Sequence, residues 1–436
     1  MPGYHIWTIG CQMNQADSDS LASSLEALGY EPVTMDSADL VVLNTCAVRQ
    51  SAEDRAVGML GSLKQLKRTR PQAMIALVGC LVDSNLADLR RRFPHVDAFC
   101  KPQDFGDLLS LAGERIDAGP AIPIIRIASS PTAFVPVIEG CNRACSYCIV
   151  PSRRGRERSH PLDEVLRHVR RLVERGVIEV TLLGQNVDSY GHDLPGKPDL
   201  ADLMARVNAI EGLARIRFLT SHPRDMKPEL IESIASLDKV CEHINLPVQS
   251  GDDAILRAMR RGYSVSEYRE VIERIRAAMP GVALSTDVIV GYPGETDAQF
   301  QASVALLEEI KFDVVHVAAY SPRPGTAATL LDDHVPALVK KQRLNVIEEL
   351  QKCVAGEINS RLVGQTVEVL VEGRNKGKWS GRTRTNKLTF FEDGADLTGR
   401  LVNVKIEKAT AWSLQGNLAG AARELSGVGA GHDLDL

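Results

Sequence analysis

The chain has 436 residues, 44% apolar and 25% charged, with a formal net charge of −5. That is material for two or three domains with ample cores, and it excludes a mainly disordered chain. No apolar run reaches the ~18 residues of a membrane span, the opening MPGYHIWTIGCQMN lacks the parts of a secretory leader, and the weak acidity argues against a basic coat over the whole surface while leaving room for local basic patches.

Nine cysteines are spread over more than 340 residues without an export signal. Such a set is no disulfide scaffold; it implies a reducing, cytoplasmic setting where cysteines are buried thiols, nucleophiles or metal ligands.

In chain order, HIWTIG (5–10), DLVVLNTC (39–46) and MIALVGC (74–80) read as buried strands, followed by helical stretches at 17–29, 51–70 and 84–92. Apolar strands separated by helices indicate a parallel α/β sheet. Each strand runs into a cysteine, Cys11, Cys46 or Cys80. The C-terminal edge of a parallel sheet is where such folds place ligands, so the three could converge there; three buried core thiols are the competing reading. Residues 114–132 carry three prolines and read as a linker.

A second β/α series follows, with strands expected at 134–140, 179–184, 216–221, 243–248, 284–291 and 313–320, and amphipathic helices such as 162–176 and 265–280 between them. Six strands suggest a parallel sheet curved into a partial (β/α)6 barrel rather than a full eight-stranded one. A charged helical stretch covers 336–363. From Gly364, TVEVLVEG, LTFFE and LVNVKIEKA alternate in period two between Gly-rich turns, the pattern of a small antiparallel β-barrel. The fold class is therefore α/β with a C-terminal β-barrel, and the expected domains are 1–118, 127–360 and 362–423, with a frayed tail at 424–436.

The strongest chemical signal is EGCNRACSYCIVP, where Cys141, Cys145 and Cys148 follow a C-x3-C-x2-C spacing. Three close thiolates suit a 4Fe–4S cube and leave one of its four irons open for reaction. A structural zinc would want a fourth ligand, and His160, twelve residues beyond Cys148, is poorly spaced for one. The pattern, at the end of the first strand of a β/α series, resembles the radical S-adenosylmethionine (SAM) superfamily. That resemblance implies that the open iron holds SAM, whose reductive cleavage gives a 5′-deoxyadenosyl radical, and it puts Tyr147 in the superfamily's aromatic slot. Polar groups at later strand ends are candidate SAM contacts: Gln185, Asn186, Ser221, Gln249, Ser250 and Asp287. For each alone, a cap or turn role competes. GQNV stands where many members have Gly-Gly-Glu.

GCQMNQADS, LNTCAVR, LLGQNVDSYG, TSHP, LPVQSG, MRRGY and DVIVGYPGET, taken with the triplet, resemble the methylthiotransferase family over nearly the whole chain. The resemblance implies an N-terminal methylthiotransferase domain, a radical SAM domain and a TRAM domain. It implies two 4Fe–4S clusters, with Cys141, Cys145 and Cys148 on the SAM cluster and Cys11, Cys46 and Cys80 on an auxiliary one. Cys100, Cys241 and Cys353 match no ligand position. Within the family, Gln12-Met13-Asn14 resembles the branch that converts N6-(dimethylallyl)adenosine at position 37 of tRNA to its 2-methylthio form; sister branches act on threonylcarbamoyl-adenosine or on a ribosomal-protein aspartate. The family implies two SAM molecules per turnover. An aromatic C–H resists acid–base chemistry, so a carbon radical and a separate sulfur holder are both needed. The two triplets are expected to face each other across one cavity.

RNA contacts are expected at two basic patches. PSRRGRERSHP holds Arg153, Arg154, Arg156 and Arg158, and EGRNKGKWSGRTRTNK holds Arg374, Lys376, Lys378, Arg382, Arg384 and Lys387 around Trp379, a candidate stacking ring. The expected partners are the tRNA anticodon stem-loop and an electron donor such as flavodoxin or ferredoxin; no membrane is expected, and the chain is expected to be a monomer. A non-enzymatic iron–sulfur RNA-binding protein and an iron–sulfur electron carrier are the competing classes.

Overall fold

The computed structural model describes residues 1–47, 50–82, 85–114, 130–332 and 334–420. Most of the expected linker and all of the expected tail lie outside them. Among the described residues the chain divides into two compact units. One joins Met1–Arg126 with Glu139–Arg158 and Ser321–Thr326; the other joins Ile127–Ile138 with Ser159–Tyr320 and Ala327–Leu436. The units are cut differently from the expected domains: the loop bearing the C-x3-C-x2-C cysteines and Ser321–Thr326 group with the N-terminal sheet, and the expected second and third domains fall in one unit.

The first unit opens with β1 (Gly3–Thr8), α1 (Gln12–Ala27), β2 (Glu31–Pro32), β3 (Leu40–Thr45), α2 (Gln50–Thr69), β4 (Met74–Gly79), α3 (Leu86–Arg92), β5 (Ala98–Cys100) and α4 (Gly106–Gly113). The strands form one parallel sheet in the order β2-β1-β3-β4-β5. β3 and β4 are buried at every position, as strands with both faces covered must be. Val42 packs with Leu21 and Leu25 of α1 on one face, while Val41 and Leu43 pack with Leu60 and Leu63 of α2 on the other. β2 and β5, two and three residues long, are too short to show a period in the sequence. In this strand order the chain reverses direction across the sheet between β1 and β3, and the crevice at such a switch point is where ligands sit.

The chain continues with β6 (Thr132–Pro136), β7 (Ile138–Glu139), α5 (Val150–Arg154), β8 (Arg158–Ser159), α6 (Leu162–Glu174), β9 (Glu179–Leu183), α7 (Leu200–Asn208), β10 (Arg215–Leu219), α8 (Pro228–Ser236), β11 (His243–Asn245), α9 (Asp253–Ala258), α10 (Val265–Ala278), β12 (Ala283–Val290), α11 (Asp297–Ile310), β13 (Val314–Ala319) and α12 (Ala337–Ser360). In the second unit, β10-β9-β6 and β11-β12-β13 are two parallel three-stranded sheets. The parallel bridge Ile216↔Val240 joins them, so six strands run in the order expected of a partial barrel. Helix starts follow their sequence signals. Ser264 and Glu267 form a reciprocal capping box on α10, satisfying donors the first turn cannot, and Val165, Leu166 and Val169 are the buried stripe of α6.

β14 (Thr366–Asn375), β15 (Lys378–Thr383), β16 (Leu388–Phe391), β17 (Leu401–Ala409) and β18 (Leu414–Leu418) close into a small barrel. The pairs are antiparallel except β16 with β18, which is parallel and completes the ring. β15 and β18 are not among the strands the sequence predicts: their polar, Gly-containing strings show little apolar alternation.

Candidate metal and cofactor site

Cys11 caps the start of α1 just beyond β1, Cys46 follows β3 and Cys80 follows β4, all at the C-terminal edge of one parallel sheet and around its switch point. Buried amides tie the three strand ends together. Asn14 donates from Nδ2 to Asn44 Oδ1 at 3.0 Å and to the Thr45 carbonyl at 3.1 Å. Asn44 donates to the Asn14 carbonyl and to Ser18 Oγ at 2.8 and 2.9 Å. The Cys11 amide and thiol both donate to Asn14 Oδ1, at 3.2 and 3.3 Å, and the Cys80 amide donates to the Thr45 carbonyl at 2.8 Å. Gly10 (φ +149°) is required here: a Cβ would stand 2.3 Å from Asn14 Oδ1 and 2.8 Å from the Cys46 Cβ.

Cys46 and Cys80 are buried and Cys11 is exposed. Burial pushes the Cys80 thiol up to about 11; Arg154 opposes that shift, while Cys46 and Cys11 add to it. The three sulfurs therefore share one electrostatic neighbourhood. Arg154 is not available to RNA as expected: its Nη2 donates to Asp17 Oδ2 at 2.7 Å, with both side chains buried. Arg153 is half-buried and feels Cys80 and Glu53.

The second triplet occupies the loop before α5, half-buried. The Arg143 amide donates to Cys141 Sγ at 3.4 Å, and the Cys148 amide to the Cys145 carbonyl at 3.2 Å. Burial raises the Cys141 thiol, the Arg143 amide lowers it, and Glu157 and Cys145 raise it. Glu157 accepts from the Asn142 amide and Nδ2 at 3.2 and 3.1 Å, holding the loop. Among the described residues no group of three His, Cys, Asp or Glu side chains is arranged to hold a single metal ion. Both triplets lie in the first unit. A cavity of about 370 Å³ in that unit is lined by Pro102, Gln103, Asp104, Glu139, Arg154, Arg156 and Arg158, so no cysteine of either triplet is in its walls. The donor chemistry fits iron–sulfur clusters: each set offers three thiols, and a buried cation lies against the first.

In the second unit the strand-end polar groups separate by role. Gln185 and Gln249 are half-buried, and each has a buried Oε1 without a hydrogen-bond partner. Gln249 takes φ +71° and pairs through its backbone with Asp287 and Ile289. Asp287 is half-buried and accepts from Asn245 Nδ2 at 3.2 Å. These three fit a polar ligand at the barrel mouth. Asn186 is buried and donates to Asp225 at 2.7 Å and to Ser189. Ser221 donates to Asp188 at 2.9 Å. Ser250 is fully buried, 3.4 Å from Ser303 Oγ, and receives the Asp252 amide; it braces a turn and presents no hydroxyl to a cofactor. Tyr147 is half-buried in the first unit.

The C-terminal basic patch departs most from expectation. Trp379 is no stacking platform: it is 4% exposed within the barrel core, with Nε1 donating to the Asp393 carbonyl at 3.2 Å and the Arg374 guanidinium 4.3 Å from its ring. Arg384 is engaged with Glu242 at 2.7 Å, and Lys387 pairs with Asp313. Arg382 lies 3.5 Å from Glu372. Arg215 and Arg217, which the sequence reading passed over, complete this seam. Arg217 binds Glu179 at 2.9 Å and donates to the Arg384 and Thr383 carbonyls; Arg215 donates to the Arg382 carbonyl and to Glu368. Two arginines at i and i+2 in a strand share one face, a signal that was present in RIRFL. Lys376 is exposed at the hairpin tip, and the partly exposed Lys378 pairs there with Glu392 at 2.9 Å.

A half-barrel of parallel strands, a cysteine-rich loop after its first strand and an appended closed barrel define a radical SAM enzyme with a TRAM domain. Residues 135–307 match the Radical SAM superfamily, 360–419 the TRAM domain, and 3–101 the Uncharacterized protein family UPF0004. A radical SAM methyltransferase from Kitasatospora setae shares the fold at a TM-score of 0.55, with 13% identity over 75% of this chain and 74% of its own. A cobalamin-dependent SAM radical enzyme does so at 0.51, with 12% identity over 80% and 56%.

The chain belongs to the family of tRNA-2-methylthio-N(6)-dimethylallyladenosine synthases. Proteins of that name from Roseiflexus sp. (strain RS-1), Chloroflexus aurantiacus and Dehalococcoides mccartyi (strain 195) are 51%, 50% and 49% identical to it; the alignments cover 95%, 95% and 96% of this chain and 89%, 91% and 99% of theirs.

Proposed function

We propose that the chain converts N6-(dimethylallyl)adenosine at position 37 of tRNA to its 2-methylthio derivative by radical SAM chemistry. The observation that carries this reading is the pair of thiol triplets within one compact unit of a chain about half identical, along its length, to synthases of that name. Cys141, Cys145 and Cys148 would hold the 4Fe–4S cluster that binds SAM, and Cys11, Cys46 and Cys80 a second. When bound, such clusters supply reductive cleavage of SAM to a 5′-deoxyadenosyl radical and an open iron for the sulfur to be transferred.

The chain's own residues do the positioning. Asn14 and Asn44 hold the strand ends around Cys11 and Cys46. Gln185, Gln249 and Asp287 take the polar groups of SAM, and Asn186 and Ser221 keep the turns beside them in place. Arg156 and Arg158, with Arg374, Lys376 and Lys378 of the β14–β15 hairpin, grip the phosphates of the anticodon stem-loop. The enzyme works as a cytoplasmic monomer and takes electrons from a flavodoxin or ferredoxin. No helix among the described residues is long and apolar enough to cross a membrane.

Anaerobic reconstitution followed by nucleoside analysis tests this reading. A product about 46 Da heavier, the mass of an added CH2S, is expected from dimethylallylated tRNA alone. SAM cleavage without that product would overturn the substrate assignment.

A further inference from the structure

Arg154 stands six residues beyond Cys148 in sequence, yet its side chain is committed to the other cysteine set. It is 3% exposed and grips Asp17, itself 2% exposed, at 2.7 Å. Asp17 belongs to α1, the helix that Cys11 caps. The guanidinium lies within electrostatic range of the Cys80 and Cys11 sulfurs. Its Nη1 is buried without a hydrogen-bond partner.

A buried guanidinium is costly unless its charge and donors are met. Asp17 answers one positive charge with one negative and leaves Nη1 unanswered. Besides Asp17, the charges its side chain feels most are the Cys80 and Cys11 sulfurs. Three thiolates around an iron–sulfur core carry net negative charge and offer acceptors to a charge-assisted donor.

We propose that Arg154 is a positioning residue of the iron–sulfur centre at Cys11, Cys46 and Cys80: its spare N–H donates to a sulfur of that centre, and its charge raises the centre's reduction potential. The proposal rests on the assignment of those three cysteines as ligands. It also removes Arg154 from the RNA-binding set, and it couples the loop of one thiol triplet to the charge state of the other.

The test uses the full chain carrying Cys141→Ala, Cys145→Ala and Cys148→Ala, reconstituted anaerobically and titrated redox-wise with electron paramagnetic resonance as the readout. Arg154→Gln is expected to lower the reduced-to-oxidised ratio about tenfold at the parent's midpoint, a shift of ~59 mV for a one-electron couple. Arg154→Lys, which keeps the charge, should hold the parent's potential, and Asp17→Asn, which removes the opposing charge, should raise it. A potential that Arg154→Gln leaves unmoved at full iron content overturns the proposal. If Arg154→Gln loads no iron, Asp17→Asn decides: a rise supports the proposal, and an unmoved or lowered potential overturns it. A triple-alanine parent that binds no iron overturns the ligand assignment instead, whatever Arg154 does.

Discussion

The cysteine edge of the first unit and the arginine seam of the second are both dense in chemistry-bearing residues; the cysteines and the hairpin cations stand out in the sequence, while Arg215 and Arg217 do not. They behaved differently when folded. Cys11, Cys46 and Cys80 lie where the sequence reading put them, because a parallel sheet sends every strand end to one edge and the cysteines directly follow strands. In the β14–β15 hairpin, period-two alternation sends neighbouring residues to opposite faces, and a register shift between Val371 and Gly373 changes which residues pair. Arg384 and Lys387 met carboxylates at the N-terminal edge of the half-barrel, over 70 residues away in sequence. Topology gave the thiols their address; the cations took theirs from long-range partners.

The largest expected effect breaks the first side of that comparison. Cys46→Ala should abolish the methylthio product while 5′-deoxyadenosine is still formed; loss of both would show that the triplets do not act separately. Next, Arg217→Ala strips Glu179 of a buried partner and frees two carbonyls of the hairpin. Breaking such a pair costs about 3–5 kcal/mol, readable as a lowered midpoint in urea; a change below 1 kcal/mol would show the seam to be ornamental.

The seam also carries a pH signature. His243 is wholly buried, and burial, with Arg217, Lys387, Arg382 and His316 around it, pushes its pKa down to about 3. The unfolded chain takes up a proton near pH 6.5 that the folded chain refuses, so stability is full above that pH. It falls as the pH drops towards 3, by up to about 1.4 kcal/mol per unit. His243→Gln should flatten this slope between pH 6 and 4 in urea denaturation, and an unchanged slope would assign it to other groups. The smallest effect separates free cations from spent ones. Lys376→Ala should reduce the salt dependence of tRNA binding by a slope of about 1, whereas Arg384→Ala should leave that slope alone and lower stability. The reverse result would restore the hairpin arginines to the RNA.

The six parallel strands and the terminal barrel were legible because burial on both faces, or on one, leaves an apolar record of matching period. β2 and β5 left none, being two and three residues long. Among the site residues, Cys141, Cys145 and Cys148 share one loop because their spacing is local. Ser221 and Ser250 did not keep a cofactor-facing role, since a strand-end hydroxyl serves its own turn first; nothing in TSHP or LPVQSG tells Asp188 or Ser303 from solvent. Trp379 departs from expectation for a related reason. Cations beside an aromatic ring look like a nucleic-acid platform in one dimension, but here the ring is buried in the barrel core and the exposed Arg374 covers it.

The three thiols of the sheet edge are unequal in one respect that matters at the bench. Cys46 and Cys80 are sealed from solvent, and the raised Cys80 thiol is a poor nucleophile, whereas Cys11 stands in the open. Oxidants and alkylating agents act on exposed, ionised sulfur. Air or iodoacetamide should therefore disarm this set through a single residue, leaving a folded protein with two sound thiols and one lesion. Mass mapping of aged preparations would find damage at Cys11 before Cys46 or Cys80, and ferrous iron present from the start of purification would be the shield.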